Sequence, residues 1–169
     1  SAAIYGSSLI LLYLASTLYH LFSSPGIKKF FQQLDHSMIY VLIAGTYTPL
    51  TLVTLRGTWG WTLFGLVWGM AVCGLVLELL MKKRIRWFSL TLYLAMGWLL
   101  VIAAKPLLMS LATGGLILLL TGGLCYTLGI FFYIQKNLSY HHAIWHLFVI
   151  AGSSTHFFAI LFYVMPPMT

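Results

Sequence analysis

From Trp59 to Leu80 the chain reads Trp-Gly-Trp-Thr-Leu-Phe-Gly-Leu-Val-Trp-Gly-Met-Ala-Val-Cys-Gly-Leu-Val-Leu-Glu-Leu-Leu, and its one charge, Glu78, stands near the end. A helix needs roughly 20 mostly apolar residues to cross bilayer hydrocarbon. A barrel strand would be about half as long and would alternate apolar with polar side chains. The stretch therefore predicts a spanning helix. Five more stretches of the same kind lie at about 3–22, 36–55, 88–105, 110–134 and 142–164. The predicted fold is all-α and integral to a membrane, a six-helix transmembrane bundle forming a single domain over residues 1–169.

Composition agrees. The chain is 61% hydrophobic and 7% charged, where a soluble domain carries about a quarter charged residues. Its two acids, Asp35 and Glu78, could not solvate a water-facing surface. The formal charge of +7 then speaks of topology and anionic lipid rather than of nucleic acid. Cys73 and Cys125 sit in apolar runs without metal or redox spacing and read as small buried residues. The chain opens with Ser1 almost directly into an apolar segment. With no basic region or cleavage site it is not a signal peptide, and an N-terminal part of the natural protein is expected to be missing.

The basic residues are unevenly shared among the predicted loops. Lys28 and Lys29 follow the first stretch, Lys82, Lys83, Arg84 and Arg86 the third, and Lys136 the fifth, whereas the alternate loops hold only Arg56 and Lys105. Lysine and arginine favour the cytoplasmic side, so the first set is expected there, with both chain ends outside. Gly114/Gly115 and Gly122/Gly123 recur on nearly one helical face and invite a close neighbour. Pro49 predicts a kink, with Thr46 or Thr48 covering freed backbone groups. Glu78 and Lys82 suggest an ion pair one turn apart. Trp59, Trp61, Trp87 and Tyr140 fall where aromatic belts form.

Against this background the polar residues stand out. The first stretch ends Ser16-Thr-Leu-Tyr-His20 and the last begins His142-Ala-Ile-Trp-His146. Residues four apart share a helical face. The charge-derived topology places His20, Asp35, His142 and His146 in one layer near the cytoplasmic boundary, although none of them entered the charge count. Three imidazoles suit Zn²⁺, and three protein ligands leave a fourth position for water, as in catalytic zinc sites. Asp35 could orient that water or take its proton, and Ser16 could hydrogen-bond the reacting group. Each residue also has a plainer reading. Histidines near helix ends often only face the interface, Asp35 could N-cap its helix, and Ser16 could bond back to its own helix. His141 points about 100° away from His142, and His36 faces headgroups or Asp35. His156, roughly 21 Å beyond His142, is too far to share its metal and reads as a hydrogen-bonded interior histidine with a pocket-lining role behind it.

These motifs, together with Leu34-Asp35-His36 and Ile43-Ala-Gly-Thr-Tyr-Thr-Pro49, resemble the hemolysin III branch of the progestin and adiponectin receptor (PAQR) family over the whole chain. The resemblance implies a seven-transmembrane fold, of which the six stretches here correspond to the second to seventh, the first family helix being absent. It implies a bacterial inner membrane and a zinc ion on His20, His142 and His146, with Asp35 supporting the water and Ser16 beside it. Through the adiponectin receptors and alkaline ceramidases it implies a lipid hydrolase, an amide being one candidate bond. Hormone binding is not carried over, because the soluble tails of the eukaryotic members are lacking. A pore-forming or cytolytic protein and a non-catalytic receptor with a structural zinc stand as alternatives. The expected partners are membrane lipids and no nucleic acid; the lipid substrate and oligomeric state stay open.

Overall fold

The computed structural model describes residues 1–81 and 85–165. Every regular element among them is helical: α1 (Ala2–Leu21), α2 (Pro25–Pro49), α3 (Gly57–Leu80), α4 (Arg86–Gly97), α5 (Ala104–Ser110), α6 (Thr113–Ile134) and α7 (His141–Ala159). Short irregular helices extend three of them. A π turn, Leu50–Thr54, continues α2, a 3₁₀ segment, Leu99–Ala103, links α4 to α5, and a second π turn, Ile160–Val164, ends α7. Taken with these extensions, six helices are long and apolar enough to cross a membrane. The protein is an integral membrane protein.

The second span departs most from the sequence expectation. It starts at Pro25 and runs to Thr54, about ten residues earlier than the apolar window suggests. Ser24 stands at the N-cap and Pro25 in the first turn, where proline's fixed φ and missing N–H suit a helix start. The 30 residues of this span extend about 45 Å, some 15 Å more than the hydrocarbon layer. Lys28 and Lys29 therefore lie on the first turns of α2 and not in a loop. At the other end Pro49 has no N–H to donate, so the i→i+4 ladder cannot continue through it. The chain shifts to wider turns, with Leu55 N–H bonding Leu50 O at 2.9 Å. Thr46, Thr48 and Thr51 hydroxyls donate to the carbonyls of Leu42, Ala44 and Tyr47 at 2.8, 2.9 and 2.8 Å. None of these is the carbonyl of Gly45, the one proline deprives.

The chain forms two compact units, Ser1–Leu99 and Leu100–Thr169. In the first, α2 packs along α1 and α3, and α4 contacts α2 and α3. Tyr40 is 1% exposed; its ring lies against Tyr93 at 4.5 Å between centroids and fills the space over Gly74, where a Cβ would collide with it. Some polar groups at this depth are paired across helices. Trp68 Nε1 donates to Thr48 Oγ1 at 3.1 Å, and Tyr47 OH donates at 3.0 Å to Gly97 O, where α4 gives way to the 3₁₀ segment. Gln33 Nε2 donates to the carbonyls of Glu78 and Leu79 at 2.9 and 3.3 Å, satisfying acceptors that the last turn of α3 leaves without an internal donor.

In the second unit α6 packs along α7 and its π end. Glycines make that approach possible. Tyr163 lies over Gly114 and Gly115, the His156 ring over Gly122, and Phe148 over Gly129. In both units large apolar side chains such as Ile10, Leu14, Leu128, Phe131 and Leu147 are exposed, as lipid-facing surfaces require. Trp59, Trp61, Trp87 and Tyr140 are exposed at helix ends, matching the aromatic belt.

Candidate metal centre

Ser16 and His20 lie on the last two turns of α1. Tyr19 anchors this end. Its hydroxyl accepts from Gln32 Nε2 at 3.3 Å, its ring lies 5.6 Å below Lys28 Nζ, and its edge meets the His20 ring at 4.8 Å between centroids. Thr17 bonds back to Tyr13 O at 2.7 Å. Ser16, half-buried, makes no such bond among the described residues, which removes the plainer reading of its hydroxyl.

The start of α7 follows Tyr140, which has a left-handed backbone at φ 60. One turn apart, His142 and His146 point their Nε2 atoms at each other across 3.1 Å, with ring planes at 90°. Trp145 backs both, at 5.1 and 4.5 Å between centroids, and itself packs on Tyr133 at 5.1 Å. Aromatic neighbours thus back both rings. Two nitrogens on one tetrahedral zinc at 2.0–2.1 Å would sit about 3.3 Å apart, so this spacing fits a shared cation. It also fits one neutral imidazole donating to the other. His142 and His146, both in the second unit, are a pair that could hold a metal ion together with further ligands; His20 lies in the first unit.

Asp35 does not cap α2. It is 4% exposed in the interior of that helix, because the helix begins at Pro25. The expected Glu78–Lys82 pair falls on a residue outside the described ones. Glu78 instead accepts from Ser89 Oγ at 3.1 Å and lies 3.9 Å from His36 Nδ1, while Tyr93 OH donates to His36 O at 2.8 Å. His36 is therefore turned toward α3, not headgroups. Sequence reading missed this cluster, although Gln33 and His36, three apart on α2, were its visible signal. His141 is half-buried with Nδ1 enclosed and without a partner among the described residues, so it does not simply face the interface. His156 is hydrogen-bonded within the second unit, Nε2 to Leu119 O at 3.1 Å.

The family model "Haemolysin-III related" matches residues 1–157. Hemolysin-3 of Bacillus cereus is 48% identical over 163 residues, covering 96% of this chain and 74% of that protein. A hemolysin-3 homolog of Bacillus subtilis (strain 168) is 50% identical over the same length, covering 96% and 76%. The human monocyte to macrophage differentiation factor, itself a PAQR member, is 31% identical over 173 residues, covering 97% and 70%. No solved structure matches the chain. Helices and motifs thus converge with the comparisons on one conclusion: the chain belongs to the haemolysin-III related family of membrane-bound proteins.

Proposed function

We propose that this protein binds zinc through His20, His142 and His146 near the cytoplasmic face of a bacterial inner membrane and hydrolyses a bond in a lipid, an amide being one candidate. The observation that carries the reading is the 3.1 Å approach of the His142 and His146 Nε2 atoms on α7. Zinc held there would supply a Lewis acid and make water a nucleophile near neutral pH. Three neutral ligands leave its charge uncompensated, which suits a nearby carboxylate and an anionic transition state.

The chain's own residues supply the rest. Asp35 takes the proton of the attacking water. Its burial in α2 holds it in a fixed position, as a general base requires. The Ser16 hydroxyl, not committed to its own helix, donates to the developing oxyanion. Trp145 fixes the orientation of both α7 imidazoles.

The test begins with elemental analysis of purified wild type beside His20→Ala. About one zinc per chain in the first and a clear loss in the second is expected; equal content would remove His20 from the site. Release of fatty acid from an amide-linked or ester-linked lipid, with and without chelator, then reads the chemistry. Turnover unchanged by chelator would exclude zinc from it.

A cytolytic activity is the second reading, favoured by the name of the Bacillus cereus relative. Liposome leakage that persists in a His142→Ala, His146→Ala variant would support it over the hydrolase. Loss of thermal stability on metal removal, with no lipid turnover in any condition, would point to a structural zinc.

A further inference from the structure

Helix α7 carries polar side chains far beyond the metal-binding pair. At 100° per residue His142, His146, Ser153 and His156 fall within an arc of about 80°. The rise from His142 to His156 is about 21 Å, which puts His156 deep in the hydrocarbon layer. An ionisable side chain there is costly and ordinarily has a task.

His156 is oriented by three neighbours. Its Nε2 lies 3.1 Å from Leu119 O. A carbonyl only accepts, so Nε2 carries the proton, and in the neutral ring Nδ1 is an acceptor. The ring sits in the notch left by Gly122 and meets the Tyr126 ring at 5.5 Å between centroids. Tyr126 OH is bonded in turn to Ser153 Oγ at 2.7 Å. The residue is half-buried, no described group bonds Nδ1, and Nδ1 is not among the enclosed polar atoms. If this histidine only tied α7 to α6, Nδ1 would face hydrocarbon with its lone pair unused, at a cost of about 1–3 kcal/mol.

We propose that Nδ1 of His156 accepts a hydrogen bond from water, and that water reaches this depth beside α7. The inference does not rest on zinc or on hydrolysis.

Cysteine labelling tests it. In a Cys73→Ser, Cys125→Ser background, His156→Cys is compared with Phe158→Cys, two residues away on the opposite, exposed face. The probe is a charged, membrane-impermeant methanethiosulfonate, which reacts with the thiolate that forms only in water. His156→Cys is expected to label at least about tenfold faster; equal rates would overturn the proposal. Should that variant fail to fold, wild type labelled with ¹⁵N-histidine in bilayers decides instead. Magnetisation transfer from water to the His156 Nδ1 resonance, assigned with His156→Phe, is expected with and without zinc. Its absence while the exposed His20 shows transfer in zinc-free protein would overturn the proposal.

Discussion

Replacing Gly122 by alanine is the sharpest probe of how α6 and α7 are held together. A Cβ on Gly122 would collide with the His156 ring at Cδ2 and Nε2, and would come within 2.8 Å of Thr155 Oγ1. Both obstacles are anchored, the ring by its bond to Leu119 O and the hydroxyl by bonds to Ala151 O and Gly152 O. Overpacking of this kind costs about 1–3 kcal/mol, and losing the imidazole–carbonyl bond adds about 0.5–1.5 kcal/mol. Alanine returns about 1 kcal/mol through its better helix propensity. The balance is a net loss of about 1–3 kcal/mol. The measurement is reversible unfolding in mixed micelles. Gly69→Ala serves as control, since a Cβ there meets nothing within 4 Å, and it should be neutral or stabilising by up to about 1 kcal/mol. In a His156→Ala background the Gly122→Ala penalty should shrink, because the ring it strikes is gone. If Gly122→Ala matches wild type while Gly69→Ala behaves as stated, the close packing of α6 on α7 at this level is wrong.

Three further outcomes follow from single contacts. Thr48→Val keeps the shape of a fully buried side chain but removes the acceptor of Trp68 Nε1. A loss of about 1–3 kcal/mol is expected, largely restored in Thr48→Ser. Gln33→Leu takes the donor from the α3 carbonyls of Glu78 and Leu79, and should cost about 0.5–1.5 kcal/mol in the same unfolding assay. His142→Ala and His146→Ala should each lower zinc content as far as the double variant does, because the remaining donors are too few for a zinc site; a single variant that keeps full zinc would argue against shared coordination.

Much of the fold was legible because bilayer solvation leaves few choices. Uninterrupted apolar runs about 20 residues long must be helices, and loops that fit between them are short. The boundaries were less legible, and α2 shows why. Hydropathy marks where lipid begins, not where the helix begins. The Ser24–Pro25 start signal lay in plain view but outside the apolar window. The irregular turns after Pro49 and Gly97 were only half visible. Proline announces a broken ladder, but whether the chain answers with a kink or a wider turn depends on Tyr47, Thr48 and Trp68 packing around it. The His142–His146 pairing was readable because i,i+4 geometry is local. The Glu78–Ser89–His36 cluster was not, since it joins three helices and no spacing encodes it. The orientation of the His156 ring was equally hidden, being set by a glycine 34 residues earlier.

The early start of α2 changes what Asp35 can be. At a helix N-cap a carboxylate is stabilised by free N–H groups and the helix dipole, and needs nothing else. Ten residues inside, those N–H groups are taken by the helix itself and the dipole's benefit, confined to the first turn, is gone. Only 4% of the residue is exposed, so water compensates little of its charge. A carboxylate kept in such a place must be compensated by a specific neighbour. On the proposed reading the bound cation is part of that compensation; a cap needs none. Asp35→Asn preserves shape but exchanges one acceptor oxygen for an NH2 donor, and it cannot take a proton. The variant should still fold and keep its zinc, while lipid turnover per folded molecule falls about 10²–10⁴-fold. If Asp35→Asn lost stability but retained turnover per folded molecule, the carboxylate would be a structural counter-charge in α2 and the base would have to be sought elsewhere.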